Sequence, residues 1–362
     1  MLNQFALVLF LAATALAQTF IATGSMAQAR AQAAATLLPN GEVLVAGGNA
    51  AGASLRSAAL FDPATENFQS AGNMLVARTE AQSVRLANGK IWIVGGDLPF
   101  GGASTTEFYD PTSRSFAAGP MLPEPLTLPK LVSLSNGEVL IFGDPRCTPP
   151  ACTSPVFKFD PASNQISADG QLQIARGNFS IALLSTGKVL VISGWSSNAV
   201  GATSPTSNYE LYDPASGQSV LKATPQFGAF NAAALSLPGG KVLFCGGGDH
   251  FTGFETGCYL YDPGMDSWQA TGNMQAGRNN FAMVLLPDGR VLVAGGTNAQ
   301  APDAEMYDPS LGTFASAGNF LVERGDFSTS RLSDGRVLFA GGHAPPHGNN
   351  NPGPALASAE LF

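Results

Sequence analysis

Five arginines hold the same place in this chain. Arg30, Arg78, Arg176, Arg278 and Arg324 each lie eleven residues before a glycine that closes a turn. Guanidinium groups repeated in this way suit carboxylate or phosphate ligands, because the planar fork of donors matches those anions. If each arginine opens the innermost strand of a radial repeat, together they ring the mouth of a central channel. A second pattern competes with that reading. Glu107, Glu210, Glu305 and Glu360 each lie two residues before an aromatic residue, and the four repeats that contain them also contain the arginine. The two repeats with Leu126 or Ala229 at the arginine position have Phe157 and Tyr259 at the glutamate position, and Arg30 stands opposite Ala59. Such co-occurrence puts internal Arg–Glu bridges, which are costly to break on one side, ahead of ligand contacts.

The remaining candidates sit near loops. His250 and His343 follow glycine clusters, and His347 lies in a loop running from His343 to Pro354. With Trp195 and the five arginines they make up the ligand-binding set, with Phe100, Phe251 and Phe254 as further stacking side chains. Histidines scattered over loops read as solvated rather than as a metal centre, so no metal and no cofactor are expected. Glu80, Glu124, Asp249 and Glu323 are the carboxylates placed for acid–base work, but no spacing marks one as catalytic. Ser-His-Asp, phosphate-loop and zincin motifs are absent. Two local disulfides are expected, Cys147 with Cys152 and Cys245 with Cys258, since neither pair has zinc-ligand spacing.

These residues are positioned by a repeat. Turn glycines fall at Gly41, Gly89, Gly137, Gly187, Gly240, Gly289 and Gly335, at intervals of 48, 48, 50, 53, 49 and 46 residues. In the second copy a strand opens at Arg78 and runs to about Leu86. Asn88-Gly89 then predicts a two-residue hairpin with positive φ at both positions. Ile91-Trp92-Ile93-Val94 is apolar throughout, as a strand buried on both faces must be. Gly95-Gly96 ends it, Thr106-Glu107-Phe108-Tyr109 forms a third strand, Asp110-Pro111 starts a turn, and Phe116 marks a fourth. The Asp-Pro pair recurs at Asp62, Asp160, Asp213, Asp262 and Asp308. Four short strands about every fifty residues define a propeller blade, so the fold class is all-β: a seven-bladed β-propeller. The 42 glycines and 25 prolines supply its turns.

The two ends account for one another. The chain stops at Glu360-Leu361-Phe362, within a third strand, while Thr19-Phe20-Ile21-Ala22 matches the fourth-strand segment Thr313-Phe314-Ala315-Ser316. The first strand should therefore complete the last blade and close the ring. Ahead of it, Phe5 to Ala13 is apolar and Ala15-Leu16-Ala17 reads as a cleavage site, giving a signal peptide over 1–17 and one propeller domain over 18–362. The chain is expected to be exported, secreted or periplasmic, with no membrane span. A net charge of −8 argues against a nucleic-acid partner.

The Gly-Gly pairs (Gly47-Gly48, Gly95-Gly96, Gly246-Gly247, Gly295-Gly296, Gly341-Gly342), the Tyr-Asp-Pro motifs and the Met-x-x-x-Arg spacing from Met26 to Arg30 resemble the kelch-repeat family over essentially the whole mature chain. The pattern departs from the family at Gly143-Asp144 and Gly194-Trp195. The resemblance implies the central propeller of galactose oxidase and of bacterial secreted kelch proteins, and it spans binding modules, oxidases and a sugar epimerase. The residues argue against a copper radical oxidase: Tyr109, Tyr212, Tyr261 and Tyr307 all lie in Tyr-Asp-Pro motifs, and Tyr209 and Tyr259 just before them. The expectation is a monomeric binding module for an extracellular glycan or protein, acting through its loop-bearing face. The alternative is an epimerase or mutarotase for an acidic sugar, using the channel-mouth arginines and a carboxylate.

Overall fold

The computed structural model describes residues 19–98, 101–144, 154–197, 203–223, 231–249, 253–296, 303–345, 347–348 and 351–362. Among these, seven antiparallel sheets, each carrying four main strands, form the seven blades of a β-propeller. The second blade shows the plan. Gln82–Arg85 pairs with Ile91–Val94, which pairs with Thr106–Asp110, which pairs with Ser115–Ala118. The second strand is the core of each blade: Ile91, Trp92, Ile93 and Val94 are all fully buried, as the unbroken apolar run requires. First strands of neighbouring blades touch one another, so they surround the axis.

Two local expectations are corrected. Arg78 does not open the first strand. It ends the long strand Asn67–Arg78, and the first strand starts only at Gln82. The break is Glu80, held at φ 58°, where an extended strand cannot continue. In the hairpin, Gly89 has φ 83° but Asn88 is not in the left-handed region. The Gly89 amide donates to the Leu86 carbonyl at 2.9 Å and the Leu86 amide to the Lys90 carbonyl at 2.9 Å. This is the three-residue loop ending in a bulged glycine, which needs only one positive φ.

Ring closure follows the expected route. Ile21 pairs with Leu361 and Ala22 with Glu360, so the N-terminal strand is the fourth strand of blade 7. Phe20 anchors it, its ring 4.6 Å from that of Phe320 and 5.1 Å from that of Phe362. Cys245 and Cys258 face each other across the second and third strands of blade 5 and are disulfide-bonded. Cys147 and Cys152 lie outside the described residues. Among the described residues no helix is long and apolar enough to cross a membrane.

Candidate functional site

Each arginine sits where one blade hands the chain to the next, and its two ends serve different blades. In three of them the backbone carbonyl accepts from the Gly-Gly pair of the preceding blade: Gly48 donates to Arg78 at 2.8 Å, Gly247 to Arg278 at 2.7 Å and Gly342 to Arg30 at 2.9 Å. A Cβ at Gly341 would run into the Arg30 carbonyl, so the glycine is required there by close approach as well as by its φ of 66°. The side chain turns into its own blade. Arg78 Nη1 donates to the carbonyls of Gly95 (2.7 Å) and Thr105 (2.8 Å), and Nη2 and Nε to Glu107 Oε1 (3.1 Å each). Arg176–Glu210, Arg278–Glu305 and Arg324–Glu360 repeat this pair at 2.7, 3.0 and 2.6 Å.

All five arginines are no more than 2% exposed. Of the two readings, the internal bridges are what is observed: the guanidinium groups are buried against the third strand of their own blade rather than lining the channel mouth, bonded to backbone carbonyls and, in four blades, to glutamates. Burial also lowers the pKa of Arg78, Arg176 and Arg324, with the partner glutamate pulling it back up. Arg30 has no such partner, and burial alone brings it down to about 10. Leu126 and Phe157 replace the pair in blade 3 and are both buried. Ala229 lies outside the described residues.

What does ring the mouth is the residue two places beyond each arginine position. Gln32, Glu80, Leu128, Asn178, Asn231, Asn280 and Asp326 all have positive φ, between 44° and 58°. Six of the seven are polar, and asparagine and aspartate tolerate this region best. They lie just before the innermost strands, and their backbones bond from blade to blade. The Gln32 amide donates to Asp326 O at 2.8 Å, Glu80 to Gln32 O at 2.9 Å, Asn231 to Asn178 O at 3.2 Å and Asn280 to Asn231 O at 3.1 Å. Side chains extend the network. Gln32 Nε2 donates to Glu80 Oε1 at 2.9 Å, and Asn49 Nδ2 donates to both Gln32 Oε1 and Thr79 Oγ1. His343 Nδ1 lies 3.4 Å from Asp326 Oδ2, with the histidine side chain 9% and the aspartate 25% exposed. A rim of amides and carboxylates thus surrounds the axis on the face that carries the loops after the second strands.

Of the other nominated residues, Trp195 is half-buried and its backbone pairs with Gly177, beside Asn178 in the rim. His343 belongs to the rim through Asp326. His250 and the side chain of His347 lie outside the described residues, as do Phe100 and Phe251. Among the described residues no three His, Cys, Asp or Glu side chains come together as for a metal. Tyr109, Tyr212, Tyr261 and Tyr307 are fully buried. Tyr212 donates to Asp169 at 2.6 Å and Tyr261 to Asp266 at 2.7 Å, and burial raises both hydroxyl pKa values. The opposite face carries shallow grooves at the blade seams, such as one of about 730 Å³ between the turns at Asn40, Asn88 and Asp110. Equivalent grooves line two other seams, so they follow from the blade repeat itself.

The rim escaped the sequence reading, although a signal was present. Arg-Gly-Asn, Arg-Asn-Asn and Arg-Gly-Asp at 176–178, 278–280 and 324–326 repeat an Asx residue two places after the arginine. Asx in such a repeated place is a mark of left-handed backbone.

No family model matches the chain, and no curated protein matches it. Among solved structures, it is similar to a fungal alcohol oxidase described as showing catalytic diversity among the AA5 family, in complex with copper. The TM-score is 0.72 at 18% identity, over 95% of this chain and 75% of that one. The likeness establishes the fold: a seven-bladed propeller like the central domain of galactose oxidase. Among the described residues, Tyr212 and Tyr261 donate to aspartates and His343 lies beside Asp326.

Proposed function

We propose that this chain is a secreted binding module that holds a neutral, polyhydroxylated ligand, a glycan, at the axial rim of its loop-bearing face. The observation that carries this reading is the set of polar side chains, Gln32, Glu80, Asn178, Asn231, Asn280 and Asp326, on equivalent left-handed positions around the axis. Amides donate to and accept from hydroxyl groups and carboxylates accept from them, and backbone strain at repeated positions is the kind of cost that persists at functional sites. Trp195 beside Asn178 offers an apolar face for a sugar ring. The disulfide Cys245–Cys258 supports an oxidising compartment. The arginine-based alternative for acidic sugars loses its anion contacts, because no described arginine of the five reaches the rim. Glu80 and Asp326 would also repel a carboxylated sugar there.

Thermal-shift and calorimetric titration against neutral and acidic glycans tests the reading. A neutral glycan should bind the wild type, and Asn178→Gly with Asn280→Gly should abolish binding while leaving the fold intact, since glycine accepts positive φ freely. Binding that survives in this double variant, or selectivity for acidic sugars, would remove the rim from consideration.

A further inference from the structure

Arg30 is the one arginine of the five with no glutamate at the third-strand position of its blade; its Nη1 meets two backbone carbonyls as that of Arg78 does, and Ser57 Oγ beside it donates to Gln28 Oε1 at 2.6 Å. Arg78 places all five of its N–H donors: two on Glu107, one each on the carbonyls of Gly95 and Thr105, and one on Thr105 Oγ1. Arg30 places three: Nη1 on the carbonyls of Gly47 and Ser57, at 2.7 Å each, and Nη2 on Ser57 Oγ at 2.9 Å. The two donors left, Nε and the second Nη2 hydrogen, correspond to those that Glu107 receives in blade 2. Arg30 is 2% exposed, and its buried Nε has no acceptor. Nε also lacks an acceptor in Arg176 and Arg324, but there Nη2 meets a glutamate.

The glutamates have a second set of partners. Glu107 accepts from the amides of Leu75 (2.6 Å) and Val76 (3.1 Å), and Glu360 from those of Leu321 (2.8 Å) and Val322 (2.9 Å). Glu210 and Glu305 do the same with Gln173 and Ile174, and with Gln275 and Ala276. In each case these amides lie three and two residues before the arginine, which in blade 1 means Ala27 and Gln28. Among the described residues neither of their amides has a hydrogen-bond acceptor, and both residues are exposed. Ala59, at the glutamate position, is buried beside Met26, Val45 and Ala340. A glutamate differs from alanine by the equivalent of one acetate.

We propose that this cradle in blade 1, formed by Arg30 with the amides of Ala27 and Gln28 over Ala59, binds a small monocarboxylate of acetate or formate size. The anion takes the place that glutamate takes in four other blades and supplies the counter-charge that the buried guanidinium otherwise lacks. The cradle has the buried Arg30 guanidinium at its base and the exposed residues Ala27 and Gln28 at its edge, and it is distinct from the polar rim, so it does not depend on glycan binding. Its ligand stabilises the fold at the seam where Arg30 meets Gly342 and the ring closes.

The test titrates [1-13C]acetate into the folded wild-type chain at constant ionic strength, with chloride as control. Saturable binding is expected, with a rise in Tm and a shift of the Arg30 Nε–H resonance that chloride does not reproduce. Ala59→Glu should fold with a Tm at or above that of the acetate-free wild type and should bind acetate at least about tenfold more weakly. No saturable binding up to about 100 mM, an unmoved Arg30 Nε–H signal, or equal affinity in Ala59→Glu would each overturn the proposal. The resonance is read in the wild type, so the test survives a variant that fails to fold.

Discussion

Arg78 and Glu107 are each at most 1% exposed. A buried pair of this kind is costly to break on one side, because the surviving charge keeps its desolvation cost and loses its partner. Glu107→Ala should therefore destabilise the chain by about 3–5 kcal/mol in urea unfolding. Blade 3 supplies the control: Leu126 and Phe157 fill the same two places without charge. The double variant Arg78→Leu with Glu107→Phe should recover most of the loss. Equal damage from the single and double variants would show that the carbonyl contacts of Arg78, rather than its charge pairing, carry the energy. The same logic separates Arg30 from its four counterparts, because blade 1 keeps the cation and omits the anion.

At the scale of the strand and turn, the Asp-Pro motifs act as carboxylate caps. The Ala64 amide and Thr65 hydroxyl hold Asp62 below the ordinary carboxylate value, and the Thr112 amide does so for Asp110. The Ser163 hydroxyl with the Ala162 amide lowers Asp160, and the Ser310 hydroxyl with its own amide lowers Asp308. A carboxylate with a depressed folded pKa binds its proton first in the unfolded chain. Its contribution is therefore present above the unfolded value of about 3.9 and is lost as pH falls through the folded one. Stability from urea unfolding should fall between pH 5 and pH 3. Replacing Asp62 and Asp110 by asparagine, which keeps the turn but does not titrate there, should flatten that slope. An unchanged slope would place the acid sensitivity elsewhere.

The whole molecule depends on how its ring is closed. The pairing of Ile21 and Ala22 with Leu361 and Glu360 covers the open edge of blade 7, and Phe20 packs among Phe320, Phe339 and Phe362. Phe20→Ala should cost about 3–5 kcal/mol, the range for an aromatic removed from a packed core. A chain starting at Ser25 should melt earlier still and should self-associate, because the edge strand at 359–361 is then free to pair. Light scattering with thermal melts reads both effects. A monomer with unchanged Tm would mean that blade 7 closes without this strand.

Much of this was legible because it rests on local chemistry. Turn glycines, Gly-Gly stops and Asp-Pro turns fix backbone dihedrals within a few residues. Seven repeats of an all-apolar second strand can be buried only by stacking blade on blade. The co-occurrence of Arg78 with Glu107, and of Leu126 with Phe157, disclosed the pairing before any distance was known. The turn geometry at Asn88 and the start of the first strand were misread, because a bulged glycine and a left-handed Glu80 both leave the apolar pattern unchanged. The site was misread for a related reason. Sequence spacing gives the position of an arginine but not the direction of a long, flexible side chain. Packing turned all five guanidinium groups into the blades and brought the polar residues two places later to the axis. The sequence by itself determined the repeat, the blade count, the closing strand and the charge pairs, because periodicity and local dihedral chemistry specify them. Only the tertiary structure decided which polar groups face the axis and which way each arginine side chain turns, because both depend on side chains meeting across blades.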